Sequence, residues 1–403
     1  MTVAAQPRFA PLAGLRIADF SSNMAGPFAT MILAQLGADV IKIEPPQGDD
    51  ARAWPPFVDD ASLSHRHMNV GKRSLVVDLK SPEGQAVARR VAASCDVLLQ
   101  SMRPGVADRI GIGETELRTQ NPDLLYYNLS AFGAGPVGNA LPGYDPLVQA
   151  FSGIMLMTGH DGSPPARCAP SLVDLGTGQW IAMGIMAAVM SARQGRPVRS
   201  AETALLDTAF SIIPYQATGA KLSGKRPPRA GSGNPIAAPY QCYRARDAYL
   251  MIAAPNQRLW EKLAGVLAIR QLISDERFLT VEARARNNAA LTEQLERQLG
   301  QDDAAVWVRR LQEAGIPATI VAGLEEAVAG EVPAERGTFM DSGGVPLVRL
   351  PWLFDGAPVP WGRTAPRLGA HSREILDELG YSAGEIDALV TSQAIGVCAD
   401  GAA

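Results

Sequence analysis

The sequence predicts an α/β fold: a mostly parallel sheet with helices on both faces. Three observations carry that prediction. Over roughly the first 130 residues, apolar runs of strand length alternate with helical segments. Helix-start and helix-stop residues stand between those runs. Gly (39) and Pro (30) are spread along the chain without a period, which removes collagen-like and low-complexity readings.

The elements follow in order. Leu15–Phe20 (LRIADF) is a short apolar run that reads as a buried strand. A small-residue loop, SSNMAGP, comes next. Phe28, Met31, Ile32, Gln35 and Leu36 then fall at helical spacing, and Gly37 is placed to end that helix. Asp39–Ile43 is the next strand, stopped by Pro45 and Pro46. Ser74–Leu79 is strand-like, and Ser81-Pro82-Glu83 begins a helix that runs to about Ser94, with Ser as cap and Pro in the first turn. Asp96–Leu99 and Leu124–Leu129 are further strands. A long apolar helix follows Asp174 and breaks at Gly195-Arg196-Pro197, and a second covers about Glu202–Ala217. Ser223–Pro239 is rich in Gly, Pro and base and reads as a boundary and a functional loop. Beyond it, Tyr249–Ala253 and Ile320–Ala322 are strand-like, and Gln257–Ala268, Val281–Leu299 and Ala304–Ala314 are helical. Residues 228–330 form a smaller second domain, between a first segment, 1–227, and a tail, 331–403, that ends in the helical stretch Ser372–Leu379.

Composition narrows the function. Of the 403 residues, 47% are hydrophobic and 19% charged, which suits a sizeable core and excludes a disordered chain. A net charge of −4 supplies no general basic field for nucleic acid. The four cysteines (Cys95, Cys168, Cys242, Cys398) form no Cys-x-x-Cys pair, and the four histidines form no His-Glu-x-x-His pattern, so no metal site is expected. The N-terminus lacks a signal-type apolar core, and the longest apolar run, Trp180–Met190, is too short to span a bilayer. The expectation is a soluble protein of the cytoplasm, without a membrane or nucleic-acid partner.

Several motifs carry possible chemistry. Gly133–Gly138 fits G-x-G-x-x-G, but Pro136 and Pro142 interrupt the helix that a dinucleotide site needs, so it reads as a loop. SSNMAGP either makes a plain strand-to-helix turn or offers backbone N–H groups to an anion. Lys72 and Arg73 lie just before one strand, and Arg103 and Arg109 after another. As a set on one sheet edge they suggest an anionic, phosphate-bearing ligand. Asp174, at the start of the long apolar helix, is read as an N-cap or as a nucleophile that the helix terminus keeps ionised. Gly231-Ser232-Gly233-Asn234, flanked by Lys225, Arg226 and Arg229, is a linker or a lid.

The stretches GLRIADFSSNMAGP, LGADVIKIEPP, NVGKRSLVVDLKSPEG, RPGVADRIGIG, GYDPLVQAFSGIM, SLVDLGTG and RLGAHSREILDELGY, in this order, resemble the class III coenzyme A transferases. These are the formyl-CoA transferase and carnitine CoA-transferase family, to which α-methylacyl-CoA racemase is related in fold. The resemblance runs from about residue 12 to about residue 390. It implies a Rossmann-like large domain built from both chain ends, with a smaller α+β domain inserted, and a homodimer of interlocked chains. It makes Asp174 the nucleophile. It places coenzyme contacts at Met24, Ala25, Asn69, Val70, Gly71, Lys72, Met102, Arg103, Arg109 and Tyr144, and the substrate loop at Gly231, Ser232, Gly233 and Asn234. Pro45 and Pro142 stand where formyl-CoA transferases carry Arg and Lys. Tyr144 stands where the racemase carries His; tyrosine, with an ordinary pKa of about 10, is a poor base at neutral pH.

What the resemblance implies is transfer of coenzyme A from an acyl-CoA donor to a small carboxylic acid, through an aspartyl anhydride and an aspartyl-CoA thioester. Coenzyme A then enters as substrate, and no permanently bound cofactor is expected. An acyl-CoA racemase or epimerase of the same fold and a non-catalytic coenzyme A-binding protein are the alternatives.

Overall fold

The computed structural model describes residues 9–398. The expectation about the extreme N-terminus therefore lies partly outside the described residues. Two compact units emerge. The first takes the chain through Ser152, Ala169–Pro214 and everything from Glu335 onward; the second takes Gly153–Cys168 and Tyr215–Ala334.

The first unit opens with β1 (Arg16–Phe20), α1 (Ala25–Gln35) and β2 (Asp39–Glu44). Every residue of α1 except Phe28 is buried, as an all-round apolar helix requires. Next come α2 (Leu63–Asn69), β3 (Arg73–Val77) and α3 (Pro82–Ala93). Ser81 Oγ caps α3 by accepting from Gly84 N at 3.0 Å, with Pro82 in its first turn. β4 (Val97–Gln100), β5 (Leu125–Ser130), α4 (Asp145–Phe151) and α5 (Leu172–Arg193) follow. Gly133–Gly138 leads into a short 3₁₀ turn at Gly138–Ala140, in keeping with its reading as a loop.

The helix expected over Glu202–Ala217 is corrected. Ser200–Ala204 is a strand, β6, that pairs with β5, and helices α6 (Leu205–Ile212) and α7 (Pro214–Ser223) follow it. Pro214 has no N–H to continue α6 and restricts Ile213 before it, so the helix breaks there.

The second unit packs β7 (Tyr240–Arg244), β8 (Tyr249–Ala253), α8 (Gln257–Val266), α9 (Val281–Arg286), α10 (Asn288–Leu299), α11 (Ala304–Glu313) and β9 (Ala318–Ile320) around its own apolar core, centred on Trp260, Leu263 and Phe278. The single helix expected over Val281–Leu299 is interrupted at Asn287, whose Nδ2 donates to Ala283 O at 2.9 Å, competing with the backbone ladder. The chain then returns to the first unit with α12 (Ser372–Glu378), α13 (Ala383–Thr391) and β10 (Ile395–Gly396).

The main sheet runs β10-β3-β2-β1-β4-β5-β6. All neighbours are parallel except β10, which is antiparallel to β3. The order reverses at β1, so a crevice is expected beyond the C-terminal ends of β1 and β4. Arg73 belongs to the opposite end. Its guanidinium meets Asp39 at 2.6 Å, Glu378 at 2.7 Å and Glu374 at 3.0 Å, and Asp39 also holds Arg16, the first residue of β1. The expected basic set on one sheet edge is corrected accordingly.

At 22 residues, α5 is long and apolar enough to cross a membrane by length and composition, because it extends in both directions beyond the Trp180–Met190 run. One face packs on α1, buried at Thr177, Gly178, Ile181 and Ile185.

Candidate active site

The loops after β1 and β4 meet at the switch point. Ser22 N donates to Ser101 Oγ at 3.3 Å, which ties the Ser21–Pro27 loop to the segment that carries Met102 and Arg103. Gln100 Oε1 in turn accepts from Met102 N at 2.6 Å. Met102 is half-buried, and Arg103 and Arg109 are exposed with no acidic partner among the described residues. The loop after β1 enters α1 through Met24, which supplies no side-chain cap, and Ala25 is buried.

Asn69, Val70, Gly71 and Lys72 form a different surrounding. Asn69, Val70 and Lys72 are fully buried. Val70 O accepts from Gln35 Nε2 at 3.0 Å, and Gly71 has φ +90 with Gln35 so close that a Cβ there would stand 2.6 Å from Nε2. Lys72 Nζ uses all three of its protons, on Asp19 Oδ2 (3.0 Å), Pro27 O (2.9 Å) and Asn69 Oδ1 (2.9 Å). The expectation that the Lys72 ammonium holds a phosphate is corrected: it faces the interior and has no donor left.

Asp174 lies in the first turn of α5, whose N-cap is Ser171, so its reading as the N-cap is corrected. The terminus is capped from 28 positions away. Asp145 Oδ2 accepts from Val173 N at 2.9 Å and from Asp174 N at 3.1 Å, and Gln149 Nε2 steadies Asp145 Oδ1 at 2.6 Å. Asp145 is 2% exposed and was not singled out from the sequence; the only local hint is its position beginning α4 beside a Pro. Burial, and then the charge of Asp145, push the Asp174 carboxyl from 3.8 up to about 7. The expectation of a carboxylate held ionised by the helix is corrected too: near pH 7 its two protonation states are comparably populated.

One turn beyond Asp174, Gly178 lets α5 approach α1. A Cβ there would stand 2.6 Å from Ala25 O and 2.9 Å from Phe28 Cδ1. This contact brings the first turn of α5, with Asp174, beside the start of α1, with Met24 and Ala25. Tyr144, just ahead of Asp145, is 61% exposed.

Gly231–Asn234 belongs to the second unit. Gly231, at φ +56, donates to Gly159 O at 3.0 Å, and a Cβ on it would run into the His160 ring. Ser232 Oγ accepts from Cys242 N at 3.1 Å, Gly233 N donates to Ala230 O at 2.7 Å, and Asn234 N donates to Tyr240 O at 3.1 Å. Arg229 fastens the adjoining segment through Met155 O (3.2 Å) and Leu156 O (3.0 Å). Among the described residues no three His, Cys, Asp or Glu side chains cluster so as to hold a metal ion.

Comparison with known proteins gives this geometry its context. A family model described as CoA-transferase family III matches residues 12–372. The chain is 36% identical over 371 residues to the acetyl-CoA:oxalate CoA-transferase of Acetobacter aceti, covering 91% of this chain and 95% of that protein. It is 33% identical over 388 residues to the succinate–glutarate CoA-transferase of Agrobacterium fabrum, covering 92% and 96%. A crystal structure of a CAIB/BAIF family protein from Brucella suis is similar with a TM-score of 0.83 and 34% identity, covering 92% of this chain and 100% of that one. Matched to these relatives over nearly its whole length, the chain belongs to the class III CoA-transferases and has that family's enzymatic activity.

Proposed function

We infer that the enzyme moves coenzyme A from an acyl-CoA to a carboxylic acid with Asp174 as the covalent carrier. One observation carries the reading: Asp174 lies in the first turn of α5, one turn before the Gly178 contact with Ala25 at the start of α1, with its backbone N–H tied to Asp145. In its ionised form Asp174 attacks the thioester carbonyl of the donor. The C–S bond breaks, leaving a mixed anhydride and coenzyme A thiolate. The thiolate attacks the aspartyl carbonyl, the donor acid departs, and an aspartyl-CoA thioester remains. The acceptor carboxylate attacks that thioester and regenerates thiolate and a new anhydride. The thiolate then takes the acceptor's acyl group, and Asp174 returns as carboxylate. Exposed Arg103 and Arg109 are assigned to the nucleotide phosphates, and Met24, Ala25, Met102 and Tyr144 to other coenzyme contacts. Within Asn69–Lys72 only Gly71 is partly exposed, so the coenzyme contact of that segment is assigned to Gly71. Gly231–Asn234 is assigned to the substrate side.

Short dicarboxylic acids are the proposed substrate class. The relatives' names include succinate, glutarate and oxalate, and a further relative from Haloarcula hispanica, 30% identical, is a succinyl-CoA:mesaconate CoA-transferase. Acyl-CoA donors crossed with these acids, followed by hydroxylamine trapping and peptide mass spectrometry, test the reading. An adduct on the Asp174 peptide is expected, and Asp174→Ala loses at least about 10⁴-fold in turnover. Normal transfer by that variant sinks the mechanism. Deuterium uptake beside the thioester carbonyl without any acceptor acid identifies a racemase instead.

A homodimer of interlocked chains is proposed as the working form. Trp180, Met183, Ala187 and Met190 on α5 are all exposed and, at 3-4-3 spacing, lie on one helix face. Light scattering is expected to give twice the 42.7 kDa chain mass; a monomeric mass rejects the dimer.

A further inference from the structure

Four charged side chains sit fully buried beneath the loop that joins β1 to α1: Asp19 (0% exposed), Lys42 (1%), Asp49 (4%) and Lys72 (0%). They form two ion pairs, Lys72–Asp19 at 3.0 Å and Lys42–Asp49 at 2.7 Å. Asp19, Lys42 and Asp49 also grip the backbone of the loop, and Lys72 grips that of the first turn of α1. Asp19 Oδ1 accepts from Ser21 N at 3.0 Å, and Lys42 Nζ donates to Ser21 O at 3.0 Å. Asp49 Oδ1 accepts from Asn23 N at 3.1 Å and from Ala51 N at 2.9 Å. Lys72 Nζ donates to Pro27 O at 2.9 Å. Glu44, bound to Arg52 at 2.7 Å, reaches Asp49 N at 3.1 Å and so steadies the cluster from its far side.

The loop needs such holding. The first turn of α1 has no side-chain cap, and Asn23 stands at φ +68, in the left-handed region that Asn adopts more readily than most residues. A buried ion pair adds little net stability over well-packed apolar side chains of the same volume. Charge-assisted hydrogen bonds do give direction, because each ends on one chosen atom.

We propose that this four-charge cluster holds the Ser21–Pro27 loop in its coenzyme-binding shape before the coenzyme arrives, with Lys42 and Asp49 as positioning residues. The proposal rests on the assignment of Met24 and Ala25 to coenzyme contact. A preformed loop spends no binding energy on ordering itself, so losing the clamp raises KM and leaves the chemical step alone.

The test uses the full-length enzyme. Asp49→Ala removes the acceptor for two amides and the partner of Lys42. Its KM for acyl-CoA is expected to rise at least about tenfold while kcat stays within about threefold. Asp49→Asn keeps an oxygen for the Asn23 and Ala51 amides and is expected to recover most of that loss. A folded Asp49→Ala enzyme with wild-type KM, or one in which kcat falls and KM does not, overturns the proposal. Should Asp49→Ala fail to fold, hydrogen exchange at the Ser21 and Asn23 amides of the unaltered enzyme decides. Slow exchange without coenzyme A supports the clamp, and exchange at the rate of an unstructured peptide rejects it. A wild-type enzyme that binds no coenzyme A instead removes the functional reading, and exchange at those amides still judges the clamp.

Discussion

The Asp174 carboxyl carries two opposed demands. As the proposed nucleophile it must be ionised, yet burial and the neighbouring Asp145 charge raise its pKa to about 7. The rate of attack on acyl-CoA should therefore climb with pH on a limb centred near 7. Asp145 is also the cap of α5, so it raises this pKa while it fixes the position of Asp174. Asp145→Asn keeps an acceptor for the Val173 and Asp174 amides and removes the like charge. The acidic limb of its kcat/KM profile is expected to move to lower pH, with kcat at the plateau changed by less than about tenfold. A limb that stays in place assigns the raised pKa to burial alone. His65 is another kind of buried group. It is 4% exposed, and burial lowers its pKa to about 3, so it stays neutral through the working range.

Among the elements, the crossing of α1 and α5 does most to assemble the site. Gly178 sits where the two helices are closest, against the backbone oxygen of Ala25 rather than a flexible side chain. An added methyl group therefore has to part the helices. Gly178→Ala is expected to lower stability by about 1–3 kcal/mol and to weaken coenzyme A binding, because Asp174 and the start of α1 move apart. Thermal unfolding and coenzyme titration check this; unchanged values in both mean that the crossing tolerates a side chain. A glycine in a helix interior ordinarily costs stability relative to alanine, which makes the direction of this effect diagnostic.

On the scale of the whole molecule, ionisable groups are divided unevenly. Asp19, Glu44, Asp49, Asp145, Lys42 and Lys72 are all buried in the first unit, while Arg284 is the buried charge of the second among the described residues. Burial alone would raise the Asp19 carboxyl, but Lys72 and Lys42 outweigh it and hold the group at about 2. Arg52, aided by Lys42, does the same for Glu44, again to about 2. Unfolded carboxyls titrate near about 4. Both groups thus stabilise the fold above about pH 4 and lose that contribution as pH falls toward about 2. The first unit is expected to lose hydrogen-exchange protection at a higher pH than the second when the protein is acidified. Loss of both units together, or of the second unit first, contradicts this.

Local pattern alone determined much of this protein. Apolar runs of four to six residues marked β1 to β5, Ser81-Pro82 marked the start of α3, and the apolar stretch after Asp174 marked α5, because these elements are written in residues a few positions apart. β6 escaped detection because Ser200–Ala204 carries little apolar signal and becomes a strand by pairing with β5. The tertiary structure alone decided the order of strands around β1, the inward turn of Lys72, the cap that Asp145 places on α5 and the charges under the Ser21–Pro27 loop. Each depends on groups tens of residues apart that share one dry interior. There a charge must find a partner, and no spacing along the chain says which partner that will be.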